Sequence, residues 1–171
     1  MLRSIRKPLV VMTPKSLLRH AEAKSATDEF ASGSFRETLD DPWLSTPDEV
    51  ESILLSTGKI AYTLKDERNE RDAKAAVVRV EQLYPVPEQQ LGEIFENYPK
   101  AKDLCWVQDE PENMGAWTFM QARLHRMAPD RLTLRHVARA ESASPATGSS
   151  KVHEQELEEI LNRSFEVPRS S

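Results

Sequence analysis

The stretch QDEPENMGAW, residues 108–117, sets three carboxylates, Asp109, Glu110 and Glu112, between an apolar strand pattern and the start of a helix near Gly115. In open α/β sheets, sites collect at the carboxyl ends of strands, and a carboxylate held there can act as an acid or a base. No nucleophile or cofactor motif accompanies these three. The plainer reading is that Glu110 and Asn113 tie the loop to neighbouring backbone or cap the helix. In RVEQLYP, residues 79–85, Arg79 and Glu81 alternate along an otherwise apolar strand and are expected to form a buried or interfacial pair, which is costly unless satisfied. STGK, residues 56–59, resembles a phosphate loop at a helix start. It lacks the earlier glycine and the hydroxyl after the lysine, so it is read as a tight turn. Cys105 is the single cysteine and lies in the apolar run DLCWVQ, where it reads as a small buried hydrophobe. The four histidines, His20, His125, His136 and His153, share no metal-ligand spacing, so neither a metal nor a catalytic residue is expected.

These residues need a scaffold, and the totals bound it. The chain has 171 residues, the size of one ordinary domain. Charged residues make up 30% and the formal net charge is -5, which argues against a nucleic-acid partner. No apolar run approaches the roughly 18 residues of a membrane span, so no membrane partner is expected either. One cysteine excludes an internal disulfide and fits a reducing, cytoplasmic setting.

Five segments read as strands: PLVVM (8–12), SILLSTG (52–58), AAVVRVEQL (75–83), DLCWVQ (103–108) and LTLRHVA (132–138). The third and fourth are apolar almost throughout, as in strands buried on both faces. LTLRHVA alternates and suits a sheet edge. Helices alternate with the strands. Leu91, Ile94, Phe95 and Tyr98 form one stripe, bounded by Pro87 and Pro99. Ala116, Met120, Leu124 and Met127 form a second, and Leu157, Ile160, Leu161 and Phe165 a third. KIAYTLKDERNERDA is the helix after the second strand. Residues 36–49 and 138–151 read as loops. This alternation predicts an α/β domain with a mostly parallel sheet.

Five ordered motifs carry a resemblance: RKPLVVMTPKSLLRH, STGKIAYTL, VVRVEQLYPVP, WVQDEPENMGAW and SASPATGSSKVHEQE. From about Arg6 to Phe165 the chain resembles the C-terminal domain of the E1 component of the 2-oxoglutarate dehydrogenase complex. The resemblance implies a three-layer α/β/α sandwich like the transketolase C-terminal domain. It further implies that the full enzyme, a homodimer of the citric acid cycle, uses thiamine diphosphate and magnesium to decarboxylate 2-oxoglutarate and pass the succinyl group to the E2 succinyltransferase. No GDG occurs here, so the resemblance places that cofactor outside this chain. The implied partners are the remaining E1 domains, the second E1 subunit and E2.

Gln108, Glu110, Pro111, Asn113, Gly115, Ala116 and Trp117 match the family's loop motif, which the resemblance implies is a packing and interface element. Glu81 and Gln82 match the EQLYP motif, and Gln82 is the implied contributor to the acetyl-CoA or nucleotide site of some members. Gln89 and Gln90 stand where relatives of that kind carry arginines, which weakens that expectation, because phosphates want cations. Near the end, HVARAESASPA departs from the family's YxGRPASASPA, although Arg139 still matches. The interface or regulatory candidates are therefore Arg79, Glu81, Gln82, Glu110, Asn113, Trp117 and Arg139. The expected division is residues 1–6 as the end of an interdomain connection, 7–151 as the α/β domain, and 152–171 as a C-terminal helix and tail. An apolar patch is expected around the first strand and the Trp117 helix. The competing reading is a stand-alone module that binds an acyl-CoA, a nucleotide or a dehydrogenase partner.

Overall fold

The computed structural model describes residues 7–166, with Leu9 and Trp43 excepted. It divides into two compact units, the first ending at Ser34 and the second starting at Phe35.

The first unit, as described, holds a 3-10 turn at Lys15–Arg19 and a short helix α1 at Thr27–Ser32. The expected strand at 8–12 does not form among the described residues. Val10, Val11 and Met12 belong to no regular element and are 79%, 66% and 90% exposed. An apolar run becomes a strand only where a neighbour takes up its backbone hydrogen bonds, and among the described residues no strand pairs with it. Leu9 and residues 1–6 and 167–171 lie outside the described residues.

The second unit contains β1 (Thr38–Leu39), β2 (Ser52–Ser56), α2 (Ile60–Arg71), β3 (Ala75–Val80), α3 (Glu88–Glu96), β4 (Asp103–Pro111), α4 (Trp117–Met127), β5 (Thr133–Arg139) and α5 (Ser150–Phe165). The strand order is β1-β3-β2-β4-β5. All pairings are parallel except β1 with β3. The fifth strand therefore comes from the segment read as a loop, residues 36–49. Two residues are too short for any hydrophobic period to register.

Both faces of the sheet are covered, as the continuous apolar runs required. On one face Ile53, Leu55, Val78, Leu104 and Trp106 pack with Leu91, Ile94 and Phe95 of α3 and with Met120 and Leu124 of α4. On the other, Leu54, Val77, Cys105 and Val107 pack with Ile60 and Leu64 of α2 and with Ile160 and Leu161 of α5. Successive strand residues alternate between these cores because side chains of a strand point to opposite faces. The result is the expected α/β/α sandwich, with α5 built into one layer. Among the described residues no helix is long and apolar enough to cross a membrane.

Candidate functional site

Gln108 organises the carboxyl end of β4. It is the polar residue that closes a buried apolar run, and it is 1% exposed. Its Oε1 accepts from the Trp106 indole N–H at 3.1 Å and from the Trp117 backbone N–H at 2.9 Å, so it caps α4 from a distance. Its Nε2 donates to the carbonyls of Pro111 at 2.9 Å and Met114 at 2.8 Å, with a longer contact to Glu110 O at 3.3 Å. The loop 109–116 thus wraps one amide. Gly115 closes the wrap: its φ is +67°, and a Cβ there would stand 3.0–3.1 Å from the Gln108 amide atoms. Glycine meets both demands, left-handed backbone and close approach.

The rest of that loop is tied to β5 and α5. Asn113 Nδ2 donates to Ser142 O at 3.0 Å, and Ser142 N–H returns a bond to Asn113 Oδ1 at 3.1 Å. This is the tie to neighbouring backbone read from the sequence. Glu110 is exposed. Arg139, at the end of β5, donates from Nε to Asp109 O at 2.7 Å and from Nη2 to Asp109 Oδ1 at 2.5 Å. It also pairs with Glu156 of α5 and meets His153 Nδ1 at 3.1 Å. Burial works against the Arg139 charge, but its bonds to Asp109 and Glu156 outweigh burial and raise its pKa. Trp117 is buried and stacks on His136, with ring centroids 4.3 Å apart and planes 15° apart. The Trp117 ring thus belongs to the core on this side and lies against His136.

Arg79, Glu81 and Gln82 form a separate group at the carboxyl end of β3, with β2 between β3 and β4. Arg79 donates to Tyr62 Oη at 2.9 Å, lies over the Tyr62 ring at 5.3 Å and stands 3.6 Å from Glu81. Gln82 donates to Pro85 O at 2.9 Å and to Glu37 Oε1 at 3.2 Å, while Gln90 donates to the other Glu37 oxygen at 2.7 Å. Glu37 O in turn accepts the backbone N–H groups of Glu81 and Gln82. Two of the candidates' neighbours are thus spent on holding the β1 segment against β3.

Sequence reasoning missed two polar pins. Asp41 is buried, pairs with Arg68 and accepts the Val77 backbone N–H at 2.8 Å. Asp103, at the amino end of β4, takes a two-pronged bond from Arg135 at 2.7 and 2.8 Å and accepts the Ser52 hydroxyl at 2.5 Å. Arg135 continues to the carbonyls of Arg163 and Ser164 and so fastens the end of α5. Nothing in the spacing of 41 and 68, or of 103 and 135, signals these pairs. Gln108 did carry a signal, a lone amide ending an apolar strand.

Each buried carboxylate, Asp41 and Asp103, is held by an arginine, and Asp109 is held by Arg139. The carboxylate oxygens are occupied by these bonds. Cys105 is fully buried, and burial pushes its thiol up to about 12, so it is inert as a nucleophile. The STGK segment is a turn, with Gly58 at φ +73°.

Comparisons with known proteins agree on one assignment. A family model described as 2-oxoglutarate dehydrogenase C-terminal matches residues 24–165. The 2-oxoglutarate dehydrogenase E1 component of Geobacillus sp. (strain WCH70) is 42% identical over 158 residues, covering 91% of this chain and 17% of the relative. That of Azotobacter vinelandii is 41% identical over 170 residues, covering 97% and 18%. The multifunctional 2-oxoglutarate metabolism enzyme of Mycobacterium sp. (strain KMS) is 40% identical over 170 residues, covering 96% and 13%. The chain therefore spans less than a fifth of the length of these relatives, and the stand-alone reading gains no support from them.

Proposed function

The chain belongs to the 2-oxoglutarate dehydrogenase C-terminal family, and from that membership we propose that it is the C-terminal, non-catalytic domain of an E1 component, serving domain and dimer packing. The observation that carries the reading is the match along almost the whole chain to a small part of much longer E1 polypeptides. In this reading the larger cytoplasmic enzyme decarboxylates 2-oxoglutarate and passes the succinyl group to the E2 succinyltransferase. Its partners for this domain are the remaining E1 domains and the second E1 subunit.

The full enzyme's thiamine diphosphate and magnesium do not fit the residues described here. Among them no three His, Cys, Asp or Glu side chains gather as a metal site. The buried carboxylates are committed to arginines. No catalytic step is assigned to this chain. Glu110, Asn113, Trp117 and Arg139 instead belong to the packing frame at the end of β4. Arg79, Glu81 and Gln82 are assigned to packing of the β1 segment, and they remain the candidate face for any regulator.

The test is an assay of the isolated polypeptide with thiamine diphosphate, magnesium and 2-oxoglutarate. The expected result is no release of carbon dioxide above the protein-free control. Measurable turnover that co-purifies with the chain overturns the reading.

A further inference from the structure

Helix α5 is fastened unevenly along its length. Ile160, Leu161 and Ser164 in its second half are buried, whereas residues 150–156 are exposed or half-buried. At the far end Arg135 holds the carbonyls of Arg163 and Ser164, and Arg71 of α2 donates to Asn162 Oδ1 at 2.5 Å. The near end has weaker support. Ser149 makes no side-chain cap, and the first turn carries Lys151 with no acidic residue, which sets a cation at the positive end of the helix. A segment with so little apolar burial opens at low cost. Arg139 ties this end to the sheet, through Glu156 and His153.

The contact with His153 exists in one protonation state. An arginine side chain donates and never accepts. The 3.1 Å approach of Arg139 Nη2 therefore makes His153 Nδ1 the acceptor and puts the imidazole proton on Nε2. A protonated His153 has two N–H groups and no acceptor, and it meets Arg139 as a second cation. The charged groups around it are Arg139 on β5, Asp109 on β4 and Glu156 on α5 itself. Lys151 and Glu154 are exposed on the same turns. On α2, the buried cations are Lys65 and Arg68, and Arg68 is held by Asp41. Asp109 and Glu156 are already bonded to Arg139. A charged His153 thus competes with Arg139 for the same carboxylates, at the end of the helix where a cation is least welcome.

We propose that His153 is a proton-operated latch on α5: neutral, it accepts from Arg139 and holds the first two turns against β5; protonated, it frees those turns while the second half of the helix stays in place. The latch is built from this chain's own residues and does not rest on the E1 reading.

Hydrogen exchange of the full 171-residue chain, followed by NMR from about pH 8 to pH 5 and corrected for the intrinsic effect of pH, spans the range in which an imidazole changes charge. Protection of the Glu154, Gln155 and Glu156 amides is expected to fall about tenfold or more toward the acid end, while that of Asn162, Arg163 and Ser164 stays level. His153→Asn keeps an acceptor near the Nδ1 position and takes up no proton, so it is expected to remove the pH dependence at 154–156. Protection there that does not change with pH in the parent chain overturns the proposal. So does a fall that His153→Asn retains, which assigns the titration to another group, such as His136 with its 3.1 Å contact to Glu112 on the opposite face of the sheet. A loss that runs equally through 162–164 overturns it as well, because the helix then leaves as a whole.

Discussion

At the carboxyl end of β4, Gln108 is sealed from solvent and its amide meets indole, helix and loop together. At the carboxyl end of β3, Gln82 is half-buried and reaches one carbonyl and one carboxylate at the surface. Both glutamines lie in segments that looked site-like in the sequence, yet they do different work. Removing a partner from a sealed network leaves buried groups that nothing replaces, whereas water replaces a lost surface bond. Polar residues at strand ends thus mean scaffold in one place and adjustable surface in the other.

The sharpest way to break this contrast is Gln108→Leu. It orphans the Trp106 indole N–H, the Trp117 N–H and two carbonyls at once. Urea unfolding is expected to show a loss of about 3–5 kcal/mol. A loss below about 1 kcal/mol means that water or backbone shifts fill in, and the network is not sealed.

Next comes a pair of glycines. Gly115→Ala combines left-handed backbone with a Cβ pressed on the Gln108 amide, and is expected to cost about 2–3 kcal/mol. Gly58→Ala has the same backbone handicap, φ +73°, but nothing within 4 Å of the new methyl. It is expected to cost about 1–2 kcal/mol. Equal losses for the two remove the case for close approach at Gly115.

Alkaline pH probes the sealed side in another way. Burial raises the Cys105 thiol from 9.0 to about 12, so the folded state holds its proton more tightly than the unfolded chain. That contribution is full below pH 9 and is lost as pH rises toward 12. Inside the window stability falls by about 1 kcal/mol per pH unit from this group. Tyr98, raised by burial and then by its bond to Asp40, adds a slope of the same sign above pH 10. Chemical denaturation of Cys105→Ala at several alkaline pH values is expected to show a flatter decline than the parent chain. An unchanged slope would show that the thiol is already open to solvent.

The smallest expected effect sits on the other side of the comparison. Gln82→Ala loses two partly exposed bonds and is expected to cost about 0.5–1 kcal/mol in the same melts. A loss as large as that of Gln108→Leu collapses the distinction between the two strand ends.

Much of the fold was legible in the residues because both faces of the sheet are covered. Full coverage makes the middles of β2, β3 and β4 apolar almost throughout, and the helical stripes at 91–98, 116–127 and 157–165 match the cores they meet. The run at 8–12 looked like another strand, but apolar content alone does not supply a pairing partner. β1 escaped notice for the opposite reason, having a partner but too few residues to show a pattern. In the candidate site, the Asn113 tie and the inert Cys105 followed from residue type and position. The Asp41–Arg68 and Asp103–Arg135 pairs did not, because each joins segments far apart in the chain.

The sequence by itself determined the α/β alternation, the buried strands and the family, since these rest on local period and on ordered motifs. Only the tertiary structure decided which polar residues are structural. Gln108, Gly115 and Arg139 acquire their roles from chain segments that meet only after the sheet is assembled. Hydrogen bonds and charge pairs act over a few ångströms of space, and spacing along the chain does not record which distant groups come within that range.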